Sequence, residues 1–274
     1  MKYNYYFCQK YSDELKNALT NEGVKYEVSE FGTIGLSLIS FSLKENDQFL
    51  EYITNLTNSK PIVTAVYSQK ELQEAEYLCI RPMKQQINIV NCELAYVNAC
   101  IEETPLRRRV HHIKQFAPFV IAKEPSMNGK TAFWAESTGF LELFADYRVR
   151  ELTTFHSLKG IEYSPVYVQG KLASEKLFQL TSPNIISYDA ISMGHGENVT
   201  HCHICGRPCV DIGTEYQLFL RADGVVLDED FYVTAPVFGP GISRSLYVIS
   251  QKFYRMLKEK KLAGGITVSP VMFE

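Results

Sequence analysis

The sequence predicts an α+β protein: an N-terminal ferredoxin-like βαββαβ domain over residues 1–67, followed by a pseudo-duplicated α/β region over residues 68–274. Two observations carry this reading. The first 67 residues switch between strand and helix periodicity in the order strand, helix, strand, strand, helix, strand. A segment from the middle of the chain then recurs at its end, about a hundred residues later.

The elements follow in order. Tyr3 to Cys8 reads as a strand. Ser12 to Glu22 places Leu15, Ala18 and Leu19 at helical spacing and stops at Gly23. Val24 to Glu30 and Ile34 to Leu43 are β-rich runs joined by a turn at Gly32. Phe49, Leu50, Ile53 and Leu56 form one helix face, and Ile62 to Tyr67 is a strand after Pro61. Ser68 and Glu71 then form a capping box, which predicts a helix running to about Tyr77. Ile87 to Tyr96 and Phe116 to Ile121 read as strands, with a turn over Glu124 to Lys130.

The repeat is a strand, a helix and a strand. In the first copy, Val149 and Leu152 lead to Leu158, Gly160 and the run Ser164, Pro165, Val166. In the second, Phe253, Met256 and Leu257 lead to Leu262, Gly264 and Ser269, Pro270, Val271, with Gly265 as the one extra residue. Both helices are expected to end at their glycine, Gly160 or Gly264, in a left-handed cap. Both following strands are expected to close at their proline. The copies would span approximately 68–166 and 167–274. Gly239, Pro240 and Gly241 mark a loop before the last copy, and no low-complexity linker separates the regions.

A chain of 274 residues with 46% hydrophobic and 22% charged residues has the composition of a folded soluble protein. No eighteen-residue apolar run exists, and the N-terminus lacks the features of a secretory signal, so the expectation is a cytoplasmic protein with no membrane partner. A net charge of −3 argues against nucleic acid as a partner. The one basic run, Arg107 to Arg109 with His111 and His112, reads as a solvated face or loop. Seven cysteines without an export signal predict reduced thiols rather than a disulfide framework.

The densest chemistry lies between His201 and Cys209. Cys202 and Cys205 are two residues apart with Gly206 following, a knuckle that aims two thiolates at one point. Zinc is the candidate cofactor, with Cys202, Cys205, Cys209 and Cys100 as the metal-ligating set. A thiol-oxidant reading of Cys202 and Cys205 lacks the helix N-terminus that lowers a thiolate pKa, because Gly206, Arg207 and Pro208 follow. A zinc-deaminase reading through His195 and Glu197 fails as well. Four residues, Asn198 to His201, cannot hold the strand that separates those motifs. No phosphate loop, dinucleotide fingerprint or nucleophile elbow occurs, and no residue is assigned as catalytic.

The knuckle Cys202, Cys205, Gly206, about forty residues before Leu246 to Ser250 and the Gly264…Ser269, Pro270, Val271 tail, resembles the bacterial double-CXXCG motif proteins and related immunity proteins of polymorphic toxin systems. The resemblance covers roughly residues 68–274 and includes the Gln115 to Phe119 stretch. Where that family has its first knuckle, this chain has Cys100 and then Glu103, so one cysteine remains of the pair. The resemblance implies a non-catalytic protein-binding protein, an immunity-type inhibitor whose partner is a toxin. The alternative is a metal- or thiol-dependent enzyme centred on Cys202 and Cys205, with His195, His201 and His203 nearby.

Overall fold

The computed structural model describes residues 2–31, 36–45, 47–58, 61–83, 86–91, 99–104, 107–112, 115–127, 129–136, 142–192, 198–211, 217–238 and 243–274. The chain is mixed α+β and mostly sheet. It forms two compact units, one over Met1–Glu71 and a larger one over Leu72–Ile212 and Tyr216–Glu274.

The smaller unit runs β1 (Lys2–Lys10), α1 (Asp13–Asn21), β2 (Tyr26–Phe31), β3 (Leu36–Lys44), α2 (Phe49–Thr57) and β4 (Ile62–Val66). Its sheet has the order β2-β3-β1-β4 with every neighbour antiparallel. The Ser12 hydroxyl accepts the Leu15 amide at 3.1 Å and starts α1. Gly23 ends it at φ 68°, which lets the Val24 amide reach the Leu19 carbonyl at 2.9 Å. The helices bury Leu15, Leu19 and Ile53 against Phe7, Ile39, Phe41 and Leu43. Phe7 and Phe41 are strand partners whose rings stack 5.0 Å apart. The turn expected at Gly32 lies outside the described residues.

α3 (Gln69–Glu74) begins at the predicted capping box: the Ser68 hydroxyl accepts the Glu71 amide at 3.2 Å, and the Glu71 carboxylate accepts the Ser68 amide at 2.7 Å. It does not reach Tyr77. A capping box dictates where a helix starts, and here strand pairing claims the chain three residues after Glu74. Tyr77–Pro82 is a strand, β5, with Leu78, Cys79 and Ile80 buried.

After β5 come β6 (Gln86–Ile87), β7 (Ala99–Thr104), β8 (Arg107–His112), β9 (Val120–Ile121), β10 (Phe133–Glu136), β11 (Leu143–Asp146), α4 (Tyr147–Phe155) and β12 (Glu162–Val168). The chain continues as β13 (Ala173–Thr181), β14 (Ile185–Ile186), β15 (Asn198–His201), β16 (Pro208–Asp211), β17 (Leu218–Leu220), β18 (Phe231–Thr234), β19 (Val237–Phe238), β20 (Tyr247–Ser250), α5 (Gln251–Glu259) and β21 (Ile266–Phe273). The strands expected from Ile87 and from Phe116 shorten to β6 and β9. The rest of the first run, from residue 92 on, lies outside the described residues. The basic run sits on a strand, β8, rather than in a loop.

Two six-stranded sheets result, ordered β6-β10-β11-β13-β12-β9 and β14-β18-β20-β5-β21-β17. In each, the outermost pairs are parallel and the inner pairs antiparallel. Each encloses its own core, Trp134, Phe119, Phe144 and Val166 in the first, Val210, Leu220, Tyr232 and Val248 in the second. A short hairpin accompanies each sheet: β7 with β8, and β15 with β16, the latter extended by β19.

The helix ends differ from expectation. α4 and α5 are followed by left-handed residues that are not glycine, Ser157 (φ 50°) and Lys261 (φ 59°). In both, the next amide returns to the helix: Leu158 to Thr153 at 2.9 Å and Leu262 to Leu257 at 2.7 Å. The glycines serve the loops beyond. Gly160 takes φ 77°, and a Cβ there would lie 2.6 Å from the Phe231 carbonyl oxygen. Its counterpart is Gly265, not Gly264: φ is 94°, and a Cβ would lie 2.3 Å from the Phe133 carbonyl oxygen. The prolines do not end their strands either. Pro165 and Pro270 lie inside β12 and β21, pairing with Phe178 and Leu78, and just beyond them each strand takes up its parallel neighbour. Proline lacks an amide hydrogen, which makes it compatible with that change of partner.

Among the described residues, no helix is long and apolar enough to cross a membrane.

Candidate functional site

The cysteine knuckle forms the tip of the β15–β16 hairpin. The strands pair from Asn198 with Asp211 to His201 with Pro208, leaving six residues to turn. The Cys202 amide donates to the Arg207 carbonyl at 3.0 Å, and the Gly206 amide donates to the Cys202 carbonyl at 2.7 Å. Gly206 supplies the left-handed φ of 73° that closes this turn. Cys202 and Cys209 are 1% exposed and pack with Val237, while Cys205 is half-buried against them. The Cys209 thiol donates to the Arg207 carbonyl at 3.5 Å.

Three of the four expected ligands, Cys202, Cys205 and Cys209, therefore share one small cluster. Among the described residues, however, no three His, Cys, Asp or Glu side chains converge closely enough to hold a metal ion. Cys100 lies on β7, with its backbone opposite His111. Counting inward from the outer pairs of the two hairpins, Ala99 with His112 and Asn198 with Asp211, gives Cys100 the position of Val199. Glu103 takes the position of Cys202 in that count. His201 and His203 are exposed, with the Tyr188 ring edge-on to His201 at 5.9 Å. His195 lies outside the described residues. The chain after Cys205 continues into the strand β16 and not into a helix.

Arg207, which sequence reasoning passed over, organises the hairpin. Its Nε donates to the Ala235 carbonyl at 2.6 Å and its Nη2 to the Ser245 hydroxyl at 2.9 Å. Burial pulls its pKa down, against the opposing pull of Cys205, Cys209 and Glu142. It borders a polar cavity of about 50 Å³ lined also by Glu142, Ser243, Arg244, Ser245 and Tyr247. The Tyr247 hydroxyl donates to Glu142 at 3.2 Å and accepts the Leu143 amide at 3.3 Å, and burial holds its pKa well above the usual phenol range. A space of this size suits one or two waters rather than a substrate. The sequence signal was an arginine immediately after the knuckle glycine, in a chain where that position could have been any turn residue.

The other candidate surface is the outer face of α4. A groove of about 950 Å³ runs between α4 and β13, lined by Met127, Tyr147, Arg150, Glu151, Phe155 and Phe178 among others. Phe155 is 84% exposed, and Leu172 in the neighbouring β12–β13 turn is 86% exposed. The Arg150 guanidinium stacks 4.6 Å from the Phe178 ring centre.

The matching groove on α5, about 800 Å³, is closed differently. There the Gln251 amide group donates to the carbonyls of Leu72, Gln73 and Ala75 at 2.7, 2.9 and 2.8 Å, capping the end of α3. Arg255 adds a bond to the Gln73 carbonyl at 3.3 Å. At the corresponding places α4 carries Tyr147 and Glu151, and the chain before β13 is a hairpin turn rather than a helix.

A scan against protein-family models and a search of curated proteins each return no match for this chain.

Proposed function

We propose that this chain is a non-catalytic, cytoplasmic protein-binding protein of the immunity type, with a bacterial toxin as its partner and the α4 face as the contact. The observation that carries the reading is the exposed Phe155 beside a groove walled by Tyr147, Met127 and Phe178. A large aromatic left in water has a cost that a partner surface removes, and aromatic anchors rimmed by charges are typical of protein interfaces. Arg150, Glu151, Glu175 and Lys176 supply that rim in both signs, which suits a protein better than a polyanion.

The fold reading that accompanies the proposal is a ferredoxin-like smaller unit and a duplicated larger one. The β2-β3-β1-β4 order supports the first, and the matched sheets and left-handed residues support the second.

Capture from native cells tests the binding role. The wild-type protein should retain one protein partner at constant stoichiometry, and Phe155→Glu should lose it while Val226→Glu, equally exposed elsewhere, keeps it. Equal retention by both variants would remove the α4 face from the proposal, and no stable partner for the wild type would remove the role.

The second reading, a metal- or thiol-dependent enzyme centred on Cys202 and Cys205, is favoured by the three thiols gathered beside Arg207. Zinc analysis of the purified protein and of Cys202→Ser decides it. Stoichiometric zinc lost on substitution would establish a site at Cys202, Cys205 and Cys209, whereas zinc-free protein with unreactive thiols would dismiss it.

A further inference from the structure

The two six-stranded sheets of the larger unit are not built from consecutive halves of the chain. β5 directly precedes β6, yet β6 belongs to the first sheet and β5 lies in the second, between β20 and β21. β13 directly precedes β14, yet β14 belongs to the second sheet and β13 lies in the first, between β11 and β12.

The two insertions share one register. Tyr77 faces Ser250 and Leu177 faces Asp146, the residues that cap α5 and α4. Leu78 faces Pro270 and Ile249, and Phe178 faces Pro165 and Ala145. The loops after the helices cross over in the same reciprocal sense. Lys159, after α4, accepts the Asp230 amide at 3.1 Å, and Gly264, after α5, accepts the Ala132 amide at 3.1 Å.

From this geometry we infer that the larger unit is an intramolecular strand-exchanged pair, in which residues 77–168 and 173–273 are each other's binding partner. The interaction surface of each half is a slot inside its own sheet, and the partner that fits it is the leading strand of the other half. The slot is central rather than at an edge. Without β5 the second sheet falls into two pieces, β14-β18-β20 and β21-β17, and the apolar neighbours of Leu78 and Ile80 face water. Antiparallel pairing on both sides gives Tyr247–Ser250 and Ile266–Pro270 their strand partners in β5, while the buried Leu78, Cys79 and Ile80 select an apolar strand. Neither half completes a core alone, so the pair is the smallest folding unit, and the association resembles that of a swapped homodimer joined by a hairpin turn. The inference goes beyond the binding role proposed above. It rests on the register of the two sheets and not on the identity of any partner.

The test uses the full chain with a specific protease site inserted between Gly170 and Lys171, in the exposed β12–β13 turn. After cleavage, the two fragments should co-elute at the native mass and unfold in one transition whose midpoint rises with protein concentration. Two separately eluting, folded fragments would overturn the inference. A cross-strand disulfide gives an independent measurement. Arg81 faces Thr267 at the accessible end of β5, and Ser269 faces the native Cys79. Cleaved Arg81→Cys/Thr267→Cys protein, oxidised with glutathione disulfide, should run as one band on a non-reducing denaturing gel. Ser269→Cys should do the same. Two bands from both variants, with the parent proteins folded, would show that β5 does not occupy the slot.

Discussion

Leu78 and Pro270 are strand partners, although one lies at the start of the larger unit and the other at its end. The pairing brings the second sheet to completion with the first strand the unit makes, and Leu78 is fully buried there. Truncating it to alanine removes three carbon atoms from the middle of a sheet that cannot collapse around the gap. Leu78→Ala should cost about 2–5 kcal/mol in denaturant unfolding. A cost under about 1 kcal/mol would mean that β5 is peripheral to the core.

Ser157 and Lys261 hold left-handed backbone at the ends of α4 and α5, where side chains with a Cβ are disfavoured. Replacing either with glycine should stabilise the protein by roughly 0.5–1 kcal/mol, less the entropy glycine adds to the unfolded chain. Thermal or urea unfolding of Lys261→Gly is the measurement, because Lys261 is exposed and the substitution removes no buried side chain. Destabilisation would show that the helix end is formed differently.

Gly160 and Gly265 answer to the opposite logic. Each has positive φ, and each lies against a carbonyl oxygen of the other sheet, Phe231 or Phe133. Gly160→Ala and Gly265→Ala should each destabilise by about 2 kcal/mol or more, whereas Gly170→Ala, with open space around it, should cost only the backbone term of about 1 kcal/mol. Equal effects at the three positions would contradict the close approach.

Burial pushes the Cys79 thiol from 9.0 up to about 12 and the Tyr163 phenol from 10.0 up to about 12. In both, the neutral form is favoured in the fold, so the folded state keeps protons that the unfolded chain releases. Stability from these groups is complete below about pH 9 and declines as pH rises toward 12. Denaturant melts at pH 8, 10 and 11.5 should show a loss on the order of a few kcal/mol. Cys79→Ala should shift the onset of that loss upward, leaving the Tyr163 part from about pH 10; an unchanged onset would show that Cys79 is not the titrating group.

How much of this was legible beforehand follows physical range. The Gly23 terminator and the Ser68–Glu71 box involve groups within five residues of one another, and each appears as the sequence implies. The resemblance of the two helix–strand segments was visible for the same reason. Zinc ligation was a different kind of reading. Cys202 and Cys205 are neighbours by spacing, whereas a ligand as distant in sequence as Cys100, which lies on β7, would be placed by tertiary pairing that local spacing does not report.

By itself, the sequence determined the local vocabulary: strand and helix order in the smaller unit, the starts of α1 and α3, the knuckle turn, and the recurrence of one helix–strand segment. Only the tertiary structure decided that Tyr77–Pro82 is a strand, that β5 and β13 trade sheets, and that Gly265 rather than Gly264 matches Gly160. The reason is that periodicity and caps report interactions between near neighbours, whereas the choice of strand partner is a competition among distant segments settled by burial and ladder satisfaction across the whole unit.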